Sequence, residues 1–280
     1  MGMITRARAD IASMGRGPVA EETSVRRPLK WRTRGVPQFG MCVAIVLVYP
    51  FASLMFRLRY RHADRLPARG PVLVVANHVS IFDPIACARL VFDSGRMPHF
   101  LAKESVFKGV LAPLLRSAGQ IPVARFSADA HSALDAARAD LAAGNVIVIY
   151  PEGSVTRDPD WWPMQARTGV ARLALTTDAV VVPVAQWGPQ VVHDYHRKKF
   201  HLRLRAPADY LVGEPIDLSA ARAQVGDGAP LSAQLLRETT DLIMTRVRDQ
   251  LAELRQEPAP PTFHPRPRRE MPGDVPGTAA

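Results

Sequence analysis

The stretch VLVVANHVSIFDP, Val72 to Pro84, joins a continuous apolar run to a polar turn and then to a helix-start signal. Five apolar residues ended by Asn77 and His78 read as a buried strand. Asp83-Pro84 reads as the start of a helix, with Asp as N-cap and Pro at the first helical position. His78 then lies at the strand's carboxyl end, where ligand sites fall in open α/β sheets. Five residues on, the Asp83 carboxylate can reach one imidazole nitrogen, fix the tautomer and stabilise the imidazolium formed when the other nitrogen takes a proton. Two more runs, NVIVIY (145–150) and VVVPVA (180–185), are bounded by turn residues and also read as buried strands. Before the first of these, Ser127 to Ala143 carries Ala130, Leu134, Ala137 and Leu141 at helical spacing, with Gly144 placed as its stop. A further amphipathic helix near the end puts Leu235, Leu242, Val247, Leu251 and Leu254 on one face. This alternation predicts an α/β fold with a mainly parallel central sheet flanked by helices.

At 280 residues, with 47% hydrophobic and 22% charged residues, the chain has the composition of a folded domain with appended segments. Cys42 and Cys87, the only cysteines of the sequence, exclude a disulfide scaffold. The net charge of +10 points to an anionic partner. Aromatics at 7% and the lack of a common binding motif argue against nucleic acid. His193, His196 and His201 have no metal-ligand spacing on a helix, so no metal is expected.

Residues 1–35 hold eight Lys and Arg against three acidic residues and read as a basic flexible arm. Residues 36–58 contain eighteen consecutive uncharged positions, Phe39 to Phe56, and read as a hydrophobic membrane anchor. A straight helix of that length covers roughly 27 Å, slightly less than a bilayer core, and Pro50 would kink or end it. Arg26, Arg27, Lys30, Arg32 and Arg34 precede it, and Arg57, Arg59, Arg61, Arg65 and Arg69 follow. With neither flank more basic than the other, an in-plane or re-entrant anchor on one membrane face fits better than a span. A buried core helix is the alternative. Residues 59–256 form the main domain, and 257–280, with seven prolines, read as a disordered tail. In HRKKFHLRLR (196–205), His201, Arg203 and Arg205 fall on one side of a possible strand, either a solvated edge or a contact for anionic lipid or CoA phosphates. Trp161-Trp162 suits either a membrane interface or a packed loop.

Four blocks in order resemble the glycerolipid acyltransferase family, whose bacterial members include 1-acylglycerol-3-phosphate acyltransferases. Asn77-His78 with Asp83 resembles the family's Asn-His-x4-Asp block. Gly119-Gln120-Ile121-Pro122-Val123-Ala124-Arg125 resembles the second block, Tyr150-Pro151-Glu152-Gly153-Ser154 the third, and Val181-Val182-Pro183-Val184 the fourth. The likeness spans about residues 70–215. Two departures stand out: Val155 occupies a position where relatives commonly carry Arg, leaving Arg157 as the nearest guanidinium, and Arg167 precedes Gly169 where relatives often have Lys.

The resemblance implies transfer of a fatty acyl group from acyl-CoA or acyl carrier protein to the hydroxyl of 1-acyl-sn-glycerol-3-phosphate, on the cytoplasmic face of the cell membrane. It makes His78 the general base and Asp83 its support. Lys103, Arg125, Glu152, Gly153, Arg157 and Arg167 become substrate-binding candidates, and backbone N–H groups near Gly153 candidates for the oxyanion. Implied partners are the thioester, a lysophospholipid and anionic membrane lipids, with no cofactor beyond the co-substrate. The alternatives are another acceptor, such as glycerol-3-phosphate or a different lysolipid, or a non-catalytic membrane adaptor on the same fold.

Overall fold

A computed structural model describes residues 39–109, 112–123, 130–225 and 230–266. The chain enters through helix α1 (Phe39–Met55) and runs directly into strand β1 (Phe56–Arg61). Then come β2 (Val72–Ala76), α2 (Asp83–Asp93), β3 (Pro98–Lys103), α3 (Ala112–Ser117), β4 (Ile121–Val123), α4 (Ala130–Ala142) and β5 (Val146–Ile149). The remainder is α5 (Gly169–Leu175), β6 (Val180–Trp187), a short hairpin of β7 (His193–Asp194) and β8 (Lys199–Phe200), β9 (Ala206–Val212), α6 (Ser219–Arg222) and α7 (Ala233–Arg255).

Seven strands form one sheet in the order β1-β9-β6-β2-β5-β3-β4. The five from β6 to β4 are parallel, whereas β9 pairs antiparallel to β6 and carries β1 parallel to itself. The expected α/β architecture is therefore present, with a two-stranded reversed edge. Strand β2 lies at the centre, and its pleat serves both faces. Val72, Val74 and Ala76 pack toward α2 and β1 residues, and Leu73 and Val75 toward α4, α5 and α7. A strand buried on both sides must be apolar throughout, which is why this run shows no alternation.

Several boundaries differ from the sequence reading. Strand β1 was not anticipated, and it straddles the expected anchor boundary at residue 58. Its arginines explain the miss. Arg59 pairs with Asp209, Arg61 with Glu253 and Arg65 with Glu214. These guanidinium groups, read as a membrane-facing basic flank, are neutralised within the fold. Helix α1 passes through Pro50 without ending, and no helix among the described residues is long and apolar enough to cross a membrane. Residues 257–266, expected to be disordered, fold back instead. Met164 and His264 form a parallel bridge, and Gln165 N–H donates to the His264 carbonyl at 2.9 Å. Arg248 covers the Phe263 ring. Proline removes donors, but extended backbone still accepts them, and that suffices for this strap.

Helix α7 buries Leu235, Ile243, Met244, Val247 and Leu251, while Leu242 stays exposed. The buried face shares Leu235, Val247 and Leu251 with the predicted stripe. Gly144 follows α4 with φ +83°, the left-handed geometry of a helix stop. Only Lys199–Phe200 of the segment 196–205 is strand, and all ten of its residues are exposed.

Candidate active site

The carboxyl ends of β2, β5 and β6 meet at one end of the sheet. There the imidazole Nδ1 of His78 lies 2.8 Å from Asp83 Oδ2. That oxygen also accepts the N–H groups of Val79, at 2.6 Å, and Ser80, at 2.7 Å. The helix-start reading is corrected here: Phe82 is the N-cap, Asp83 opens the helix, and Pro84 lies in its first turn. The carboxylate turns back onto the strand–helix turn because three donors await it there. Asp83 is fully buried, and burial pushes its carboxyl up while His78 and the two backbone donors oppose the rise. An acceptor at Nδ1 selects the Nδ1–H tautomer and leaves Nε2 with its lone pair. His78 keeps a side-chain exposure of 13%, enough for a reacting group to approach.

The His78 backbone is clamped from both sides. Its N–H donates to Glu152 Oε1 at 2.8 Å, and its carbonyl accepts Thr156 N–H at 2.8 Å. The other oxygen of Glu152 accepts Met164 N–H at 2.9 Å. Glu152 is thus buried with both oxygens committed to the backbone, so it positions His78 and does not present a carboxylate to substrate. The Gly153 N–H is likewise committed, to the Tyr150 carbonyl at 3.0 Å. The oxyanion expectation named backbone N–H groups near Gly153, and of these the Gly153 N–H is already taken. Gly153 takes φ +77°, and a Cβ there would stand 3.0 Å from Arg167 Nε.

Tyr150, Gln186 and Asn77 also shape the site, and none of them was given a role of its own from sequence. The Tyr150 ring stacks on His78 with centroids 4.4 Å apart. Gln186 locks β6 to the end of β2. Its N–H donates to Asn77 Oδ1 at 2.8 Å, and its carbonyl accepts Asn77 Nδ2 at 3.0 Å. Asn77 is therefore a strut next to the histidine. An aromatic opening the third block was visible in the sequence, whereas the Asn77–Gln186 link, 109 residues apart, had no local signal.

His78 lines a cavity of about 860 Å³ that runs between α1 and α2. Ile45, Val48, Ile85 and Phe92 make its walls apolar, and Lys103, Gly153 and Arg167 lie along its lining with His78. The structure therefore brings the two candidates Lys103 and Arg167 into one lining with His78. Arg157 is not in that lining; its guanidinium donates to the Tyr195 hydroxyl at 3.0 Å and covers the Tyr195 ring. Arg125 lies outside the described residues. Val155, the departure from the family pattern, is buried. Trp162 is buried beneath the Arg255 guanidinium, which favours the packed-loop reading of that pair.

Glu152 yields a pH prediction. Burial pushes its carboxyl up to about 8 from an ordinary 4.5, against the pull of its two N–H donors. Between those values the folded protein retains a proton that the unfolded chain has released. Stability from this group is therefore fully present below the lower value and is lost as pH rises through the upper one. Glu152→Gln removes the titrating proton, so its melting temperature should vary less than wild type's between pH 5 and 8. The amide can lower the melting temperature throughout by facing one N–H donor, but only an unchanged slope would contradict the assignment.

Residues 57–187 match the Acyltransferase family model. That segment, just under half of the chain, contains the four blocks that resemble the glycerolipid acyltransferase family. It is similar to an uncharacterized protein of Mycobacterium leprae (strain TN), 29% identical over 168 residues, covering 56% of this chain and 43% of that one. An uncharacterized protein of Mycobacterium tuberculosis (strain H37Rv) is also 29% identical, covering 56% of this chain and 44% of that one. The chain thus spans under half the length of the curated relatives it matches. Among solved structures, the 1-acyl-sn-glycerophosphate (LPA) acyltransferase PlsC of Thermotoga maritima shares the fold. Its TM-score is 0.51 at 21% identity, over 76% of this chain and 81% of that one.

Proposed function

We propose that this protein transfers a fatty acyl group from acyl-CoA or acyl carrier protein to the free hydroxyl of 1-acyl-sn-glycerol-3-phosphate, making phosphatidic acid. The observation that carries this reading is the His78–Asp83 pair opening onto an apolar cavity of about 860 Å³. That volume lies within the roughly 300–1,000 Å³ usual for small-molecule sites. Nε2 of His78 takes the proton of the acceptor hydroxyl as its oxygen attacks the thioester carbonyl, and Asp83 supports the resulting imidazolium. The thiolate then leaves from the tetrahedral intermediate and is protonated by the imidazolium. The attack is direct, so no acyl-enzyme forms and no cofactor beyond the co-substrate is required.

Lys103 and Arg167 supply positive charge along the cavity lining, where they attract the phosphates of acceptor or donor. Arg125, carried by the second block, is assigned to the acceptor phosphate, which a guanidinium holds bidentately. Arg125→Ala should raise the acceptor KM at least tenfold and leave the acyl-donor KM nearly unchanged, with Arg125→Lys rescuing only in part. Initial rates with each substrate varied in turn test this. Equal weakening toward phosphorylated and unphosphorylated acceptors would remove the assignment. The overall reading is tested by offering acyl-CoA with glycerol-3-phosphate and a panel of lysolipids. Fastest turnover on lysophosphatidate is expected.

We further propose that α1 rests in the plane of the membrane on its cytoplasmic face. One side of α1 lines the cavity through Ile45, Val48, Tyr49 and Ala52, while Val46, Leu47, Phe51 and Leu54 are exposed. An uncharged helix with one side packed and an apolar opposite side fits a lipid interface. The pairing of Arg59, Arg61 and Arg65 within the fold weakens the basic-flank argument, and the exposed face of α1 now supports this reading instead. Single cysteines at positions 30 and 62 in sealed inverted vesicles should both react with an impermeant reagent from the cytoplasmic side. Opposite accessibility would establish a span.

A further inference from the structure

We propose that residues 196–205 (HRKKFHLRLR) form a second membrane contact, placing Phe200, Leu202 and Leu204 in an anionic bilayer and Lys198, Lys199, Arg203 and Arg205 on its headgroups. The inference rests on the in-plane reading of α1 and extends it to a separate element. All ten residues are exposed, and Phe200, Leu202 and Leu204 have exposures of 54%, 75% and 54%. Single exposed apolar residues are ordinary; three at alternate positions of one exposed segment mark a binding surface. From Phe200 to Arg205, apolar side chains alternate with His201, Arg203 and Arg205.

Four contacts fix the segment beside α1 and the cavity. The β7–β8 pairing sets His193 opposite Phe200, and His201 N–H donates to the Val192 carbonyl at 2.8 Å. At the far end, Arg205 N–H donates to the Leu54 carbonyl at 2.9 Å, which joins the segment to the last turn of α1. The Phe200 ring centroid lies 6.1 Å from that of Phe82, the residue next to Ile81. Ile81 is half exposed and lines the same cavity as His78. One apolar surface therefore runs from the exposed face of α1 to this segment and to the cavity rim.

Charge identifies the occupant. Arg59, Arg61 and Arg65 have acidic partners inside the fold, whereas Lys198, Lys199, Arg203 and Arg205 have no carboxylate partner among the described residues. Basic residues interleaved with aliphatic ones need anionic groups and hydrocarbon at adjacent depths, which the headgroup region of an anionic bilayer offers. Each such basic residue strengthens partition about fivefold. Docked in this way, the cavity mouth sits at headgroup level, so a lysolipid reaches His78 without leaving the bilayer.

The test places an environment-sensitive fluorophore at Leu202→Cys in the full chain carrying Cys42→Ser, since Cys87 is buried. Parallel labels at Leu47→Cys, on α1, and Glu238→Cys, on the exposed side of α7, serve as references. With vesicles of phosphatidylcholine and 30 mol% phosphatidylglycerol (about that proportion), the 202 label should shift to the blue and be quenched by lipids doxyl-labelled near the headgroup. The response should be several-fold weaker with phosphatidylcholine alone, and the 238 label should not respond. A 202 label that behaves like the 238 label while the 47 label responds would overturn the proposal and leave the α1 reading standing. Silence at both 47 and 202 would overturn both. An equal response at 202 in neutral vesicles would overturn the anionic assignment.

Discussion

Replacing His78 with alanine is expected to lower acyl transfer by about 10²–10⁴-fold while leaving the protein folded. The loss follows from the removal of Nε2, the one imidazole nitrogen not engaged by Asp83. Folding should survive because the position is held through its backbone. The His78 N–H and carbonyl are bound to Glu152 and to Thr156 N–H, and alanine keeps both groups. The ring's stacking on Tyr150 is lost, so a modest fall in melting temperature is expected beside the large fall in kcat. A soluble, folded His78→Ala protein with near-normal turnover would remove His78 from the chemistry. It would also favour the adaptor reading over the enzyme wherever wild type shows no thioester consumption.

Asp83→Asn should be nearly as severe, on the order of 10³-fold or more, by a separable route. The amide oxygen can still accept the Val79 and Ser80 N–H groups, so the turn keeps its shape. Lost is the charge that favours the imidazolium as the hydroxyl proton arrives. Asp83 is buried and its carboxyl is pushed up, so the ionised form bears a desolvation cost that asparagine does not. Activity should therefore collapse with the melting temperature unchanged or raised. A large loss of stability together with activity would instead make Asp83 a structural residue of the turn. Circular dichroism melts beside initial rates separate the two outcomes.

The sheet was legible wherever a strand is buried on both faces. Val72–Ala76 and Val146–Ile149 are apolar throughout, as is Val180–Trp187 up to Gln186, and all three closely follow the predicted runs. Strand β1 was hidden because Phe56–Arg61 alternates arginine with apolar residues at an edge, where its charges pair with residues about 150 to 190 positions away. The His78–Asp83 pair was legible from one turn of sequence, since both partners come from the same strand–turn–helix unit. Glu152 was visible as part of a block but not as a strut, because its partners are backbone groups of His78 and Met164. Sequence marks a carboxylate without saying which way it faces. The same holds for Arg157, whose partner Tyr195 lies 38 residues on. The folded strap at 257–266 shows the reverse error: a proline-rich composition signals missing donors, not missing contacts.

The most direct test of the central claim is to incubate the purified protein with acyl-CoA and 1-acyl-sn-glycerol-3-phosphate, and to measure product lipid by mass spectrometry and released thiol in the same sample. Phosphatidic acid and free CoA should appear in equal amounts, and neither should accumulate with the His78→Ala protein. Thiol release without acylated lipid, or no acylated product from this acceptor, glycerol-3-phosphate or any lysolipid with either acyl-CoA or acyl carrier protein as donor, would contradict it.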